Sequence, residues 1–147
     1  MTQRYEYWVD LRFHHPSMDP ADITRALRMR PQTSWRIGEK RRSLAGASLL
    51  GQRTDTYWSK RITPGGARVP DARIAELRLI SVLQRLRKHA RFFKKLQRTG
   101  GRAEIWLSSH SSYNYSFTFT PAVLRHVGSL GCDLIVDIYP YRQRLSA

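Results

Sequence analysis

Between Arg85 and Arg102 the chain reads RLRKHARFFKKLQRTGGR, which holds eight Lys and Arg side chains, one His and not one carboxylate. Such a run suits phosphates or carboxylates: guanidinium offers planar, two-pronged donors and ammonium a compact charge. At about 100° per residue, helical geometry places Ala75, Leu79, Val82, Leu83, Leu86, Ala90 and Phe93 on one side. Arg73, Arg87, Lys88, Arg91, Lys94, Lys95 and Arg98 fall on the other, with Arg78 and Arg85 at its margin. The competing reading is a solvated helix face. A solvated face ordinarily mixes signs for i,i+4 pairing, whereas Asp71 and Glu76, both early in the helix, are the only acids here. The helix dipole favours cations only over the last turn, so it cannot account for the whole ridge.

A second cationic group is EKRR, Glu39 to Arg42, flanked by Arg36 and Arg53. Arg41 and Arg42 are candidate phosphate contacts there, beside Arg87, Lys88, Arg91, Lys94, Lys95 and Arg98. Arg25, Arg28 and Arg30 follow the first helix, and Arg142 and Arg144 end the chain. Gathered on one face, these clusters would track a phosphate backbone; scattered, they would only solubilise. Trp58 (beside Lys60 and Arg61) and Trp106 are candidate base-stacking residues, while packing beneath helices is the commoner use of tryptophan. Trp8 and Trp106 lie opposite the aliphatic stripes of their strands, and no RNP-like signature occurs.

Other chemistries find little support. The five histidines show neither HExxH nor Cys/His zinc spacing, so no metal site is expected. The serines around His110 lack a GxSxG elbow and read as a polar turn. Asp133 and Asp137 share a strand face, as do Glu6 and Asp10, with arginines abundant enough to pair them. No P-loop or dinucleotide fingerprint is present, so no catalytic residue and no cofactor is assigned.

These residues must be held by one domain over 1–147, long enough to bury roughly 68–70% of its unfolded surface. Hydrophobic content of 41% supplies a core, and one cysteine, Cys132, leaves no internal disulfide. The net charge of +15 is well above the about 2–8 usual for a small domain and predicts anionic company. No apolar leader and no stretch of membrane-spanning length is visible, which points to a cytoplasmic protein.

YEYWVDLRFH alternates as a half-buried strand, and Asp19 and Pro20 open a helix that must end near Met29, before Pro31. SWRI and TYWSKRI read as short strands around a mobile basic loop at about 38–55. TPGGARVP is a turn-rich bridge to a long helix capped by Asp71 and stopped by Gly100 and Gly101. AEIWLSSH and YNYSFTF read as strands, the latter alternating Tyr113, Tyr115, Phe117 and Phe119. A helix from Thr120 and Pro121 to Leu130 and a buried strand, CDLIVDIY, complete the chain. The expected fold is α+β, β-α-β-β-α-β-β-α-β, with ferredoxin-like split βαβ elements. Its sheet is antiparallel or mixed, with the helices on one face.

Asp19, Pro20, Ile23, Thr24, Leu27, Pro31, Thr33 and Gly38 resemble a bacterial family catalogued as domain of unknown function four thousand two hundred seventy-nine. Trp58, Phe119, Thr120, Leu124, Leu130, Gly131, Asp137 and Tyr139 extend the likeness over nearly the whole chain. The resemblance implies a compact α+β domain and no reaction. Arg28 and Met29 depart from it, standing where similar sequences tend to carry Gly and an aliphatic residue.

The leading expectation is a non-enzymatic module whose cationic helix face binds nucleic acid or another polyanion. The alternative is an immunity or adaptor protein with an acidic protein partner. An enzyme built on Asp133, Asp137, His110 or His14 ranks third. A membrane-surface role is weaker, because the apolar side of the basic helix is committed to the core. Homodimerisation through a sheet edge or a helix stays open.

Overall fold

The alternation of Tyr7, Val9, Leu11 and Phe13 commits one face of the first strand to burial, and all four are buried. A computed structural model describes residues 5–63, 67–68, 72–111 and 116–140. In it β1 (Tyr5–His15) is followed by α1 (Pro20–Leu27), β2 (Thr33–Trp35), β3 (Lys40–Arg42), β4 (Ser48–Gln52) and β5 (Thr56–Arg61). Then come β6 (Ala67–Arg68), α2 (Ala72–Leu86), a 3₁₀ turn (Arg87–His89), α3 (Ala90–Arg98), β7 (Arg102–Ser111), α4 (Pro121–Leu130) and β8 (Asp133–Pro140). The result is a single α+β domain.

The main sheet runs β2-β5-β1-β7-β8, with β6 also pairing β1. It is mixed, since β7 and β8 are parallel and the other pairs antiparallel. Register places Val9 opposite Leu107 and Phe13 opposite both Ala103 and Trp58, so the apolar sides of three strands merge. Ile23 and Leu27 of α1, Leu79, Val82, Leu83 and Leu86 of α2, Phe93 and Leu96 of α3, and Val123, Val127 and Leu130 of α4 complete that core. All four helices therefore cover one face, and among the described residues no helix covers the other.

Local signals explain most boundaries. Asp19 accepts a bond from the Ala21 N–H at 2.9 Å with Pro20 in the first turn, an N-cap with a preorganised start. Arg28 ends α1 at φ +53°, a left-handed cap conformation that glycine adopts without strain. Gly101 allows α3 to pass into β7, because a Cβ there would lie 2.6 Å from Leu96 and 2.7 Å from His15.

Four expectations need correction. The long helix is two helices: the 3₁₀ turn Arg87–His89 tightens the winding before α3 turns Phe93 onto Phe13, ring centres 5.4 Å apart. The segment 38–55 carries the hairpin β3–β4, closed by Ser43 and Ala47 and turned at Gly46 with φ +85°. Its strand side chains are exposed, so no burial period marks them. Phe117 and Phe119, expected in a strand, lie in irregular chain and stack at 6.4 Å. Both edges of β7 are already taken, by β1 and β8, so no ladder position beside it remains. Finally, β5 and β7 flank β1 as a split βαβ unit, but β7–α4–β8 joins direct neighbours, which a ferredoxin-like order does not. Asp71, Tyr113, Tyr115, Arg142 and Arg144 lie outside the described residues, as do the side chains of Arg73 and Ala75.

Candidate polyanion-binding surface

Burial of Phe93 and Leu96, with Ala90 and Phe92 packed beside them, orients α3 and turns its cationic side chains outward from the helical layer. Arg87, Lys88, Arg91, Lys94, Lys95 and Arg98 are all exposed, and none forms an ion pair with a described residue. From Arg87 to Arg98 they span roughly 16 Å of helix axis at about 1.5 Å per residue. The cations foreseen from the periodicity are therefore all exposed, on both sides of the 3₁₀ turn.

Beside it lies a feature that one-dimensional spacing could not reveal. The end of α1, the end of β5 and the last turns of α2 enclose a groove of about 310 Å³. Met29, Ile62, Val82 and Leu86 form its apolar part, and Lys60, Arg85 and Lys88 its cations, with no carboxylate among the lining residues. Arg61 also lines it, but its guanidinium turns to the other sheet face. Lys60 Nζ is held by the Arg30 carbonyl at 2.9 Å and Arg61 Nε by Asp10 at 3.1 Å. Arg85 and Lys88 are exposed, with no ion-pair partner among the described residues.

Arg41 and Arg42 are not brought to this ridge. They hang on the hairpin from the β2–β5 edge and bond its own carbonyls, at Leu50 and Gly46, whereas α3 packs against β7 and α4. Trp58 cannot stack on a ligand: it is fully buried and donates its indole N–H to Thr24 Oγ1 at 3.0 Å. That correction follows from register, since Trp58 sits opposite Phe13 on the core face.

Trp106 does lie on the uncovered sheet face, with its indole already engaged. Arg12 covers its ring at 3.9 Å, and its N–H reaches Glu104 Oε2 at 2.7 Å. Trp35 and Trp8 are covered in the same way, by Arg53 at 3.8 Å and Arg61 at 4.8 Å. A base stacking on these rings would have to displace a guanidinium. Burial pushes the Glu104 carboxyl up, but hydrogen bonds from Trp106 and Arg102, with His14 nearby, outweigh it and leave it below its ordinary value.

Carboxylates gather on this face. Strand register aligns Glu6, Asp10, Glu104, Asp133 and Asp137 there, and Asp55 bonds His14 Nδ1 at 2.7 Å. His14 and His110 occupy opposite ends of the face, opposite Arg102 and Glu6, so the two histidines do not meet in one acid–base centre. Among the described residues no group of three His, Cys, Asp or Glu side chains could hold a metal ion. Cys132 is buried, and burial with Asp133 nearby pushes its thiol up to about 12, so it stays an unreactive thiol near neutrality. Among the described residues no helix is long and apolar enough to cross a membrane.

A family model described as Domain of unknown function (DUF4279) matches residues 4–141, and the chain belongs to that family. No curated protein matches it, and no solved structure does.

Proposed function

We propose that this member of the family is a non-enzymatic binding module whose α3 surface engages the phosphates of nucleic acid. The observation that carries the proposal is the segregation of charge. Six cations without an ion pair to a described residue line the helical layer, while carboxylates collect on the opposite sheet face. A merely solubilising surplus would pair with nearby acids. Here Asp10 and Glu104 pair with Arg12, Arg61 and Arg102 on the far sheet face, Asp19 and Asp22 pair with Arg36 and Arg25 beside α1, and no described acid pairs with the ridge. Phosphate contacts position a ligand without reading bases, so the binding would be general rather than sequence-specific.

The test is titration of fluorescent single-stranded RNA, single-stranded DNA and duplex DNA at several salt concentrations. Affinity should fall linearly in log–log form, with a slope near −0.9 per neutralised phosphate on duplex and shallower on single strands. Replacing Arg91, Lys94, Lys95 and Arg98 with Gln should weaken binding and flatten that slope. An unchanged slope would overturn the assignment of the ridge. Absence of binding at low salt would overturn the nucleic-acid reading and leave an acidic protein surface as the anion the charge fits.

A further inference from the structure

We propose that the groove beside the ridge holds one unstacked nucleotide, base against the apolar floor and phosphate on Arg85 and Lys88. This rests on the polyanion reading and adds a preference for single strands. The floor of Met29, Ile62, Val82 and Leu86 comes from three separate elements and is reached from solvent alongside cations only. Apolar contact beneath a one-signed rim suits a ligand that is flat and apolar at one end and anionic at the other. At about 310 Å³ the groove lies at the low end of small-molecule pockets, roughly 300–1,000 Å³, so it has room for a single base and none for a duplex.

Two further observations favour a nucleotide of a strand over an isolated anion. Lys88 belongs to both groove and ridge, so a backbone leaving the groove would continue over Arg91 and Lys95. Arg28, the residue before Met29, keeps a left-handed backbone at φ +53°, a strained choice for arginine that adds a further cation next to the groove. With both candidate stacking residues withdrawn, Trp58 by burial and Trp106 by Arg12, this floor offers apolar contact on the cationic side of the molecule.

The experiment follows the methyl resonances of protein labelled at the methionine methyls, Met29 reporting on the groove and Met18 serving as internal control. Adenosine monophosphate should shift Met29 saturably and leave Met18 in place, while inorganic phosphate at equal ionic strength should not move Met29. Arg85→Gln with Lys88→Gln should weaken the nucleotide at least fivefold. Wild-type protein should bind a ten-nucleotide single strand at least tenfold tighter than a duplex of equal phosphate count, and Met29→Glu should abolish that preference. A Met29 resonance indifferent to the nucleotide, or equally responsive to inorganic phosphate, would overturn the groove. Salt-dependent binding that persists in that case would leave the ridge standing. A responsive Met29 with a salt slope untouched by the four Gln substitutions on α3 would do the reverse.

Discussion

His15 shows how one buried ring ties stability to pH. Its Nδ1 accepts the N–H groups of Ser17 at 3.0 Å and Met18 at 2.8 Å, so the ring proton sits on Nε2 and is donated to Thr99 at 2.9 Å. A second proton would face two donors, and burial already lowers the ring below its ordinary 6.5. His89 is lowered too, by burial and by Lys88 and Arg28. The sign follows: a depressed value stabilises the fold above 6.5, and that stability is lost as pH falls through the folded-state value. Each such group sets a slope of at most about 1.4 kcal/mol per pH unit. Urea unfolding at pH 7.5 and pH 5 should show the loss, and His15→Gln, which keeps an acceptor and removes the titration, should make the profile flatter. Arg28 yields a separate expectation. Left-handed geometry costs a non-glycine residue about 1–2 kcal/mol, and glycine returns part of that through its unfolded-state entropy. Arg28→Gly should therefore stabilise by about 0.5–1 kcal/mol in the same assay while weakening polyanion binding; a destabilised variant would mean that the side chain makes compensating contacts.

Helices α3 and α4 are tied at their ends by a side chain acting as a cap. Gln97 Nε2 donates to the carbonyls of Leu130 at 2.9 Å and Gly131 at 2.7 Å, closing the C-terminus of α4. Gly131 adopts φ +67°, and a Cβ there would come within 2.5 Å of the Gln97 amide. Gly131→Ala should cost about 2 kcal/mol, half from left-handed strain and half from displacing the cap. In a Gln97→Ala background it should cost only about 1 kcal/mol, and denaturant midpoints of the four proteins in that cycle measure the difference. This pair also marks what the sequence could tell. The end of the helix at Leu130 was readable, but Gln97 lies 34 residues from Gly131 in the chain and no period links them. Strands β1 and β7 were legible because burial imposes alternation, and the starts of α1 and α4 because Asp19, Pro20 and Pro121 announce them. Strand β8 was expected as a buried strand but is an edge strand with Val136, Ile138 and Tyr139 exposed. The hairpin β3–β4 was not, since its ladder is built from backbone bonds without side-chain burial. The aromatic alternation at Phe117 and Phe119 misled because both residues pack on the core from irregular chain. The ridge was legible as like charge at a helical period; the groove was not, because Met29, Lys60 and Val82 come from three elements that only the fold assembles.

Across the whole molecule, the separation of charge carries an internal cost that distinguishes a binding surface from a merely soluble one. Within α3, Arg91 faces Lys94 and Lys95, and Arg98 faces the same two lysines, so four like-charged pairs stand at i,i+3 or i,i+4 spacing. Each such pair opposes the helix by about 0.2–0.5 kcal/mol, together about 1–2 kcal/mol at low salt. Lys95 and Arg98 recover most of this through the helix dipole at the C-terminus, about 0.3–1 kcal/mol each, whereas Arg91 and Lys94 lie before the last turn and recover none. Screening weakens exposed charges beyond about 10 Å at 0.1 M salt and reduces nearer repulsion as well. Wild-type protein should therefore melt higher at 300 mM than at 20 mM salt. The variant with Gln at 91 and 94, which removes three of the four pairs and keeps both dipole contacts, should gain about 0.5–1.5 kcal/mol at 20 mM, show a flatter response to salt, and bind nucleic acid worse. Stability gained together with binding lost means that the ridge is kept for its partner at the expense of the fold. A variant that lost both would instead assign these two side chains to holding α3 in place.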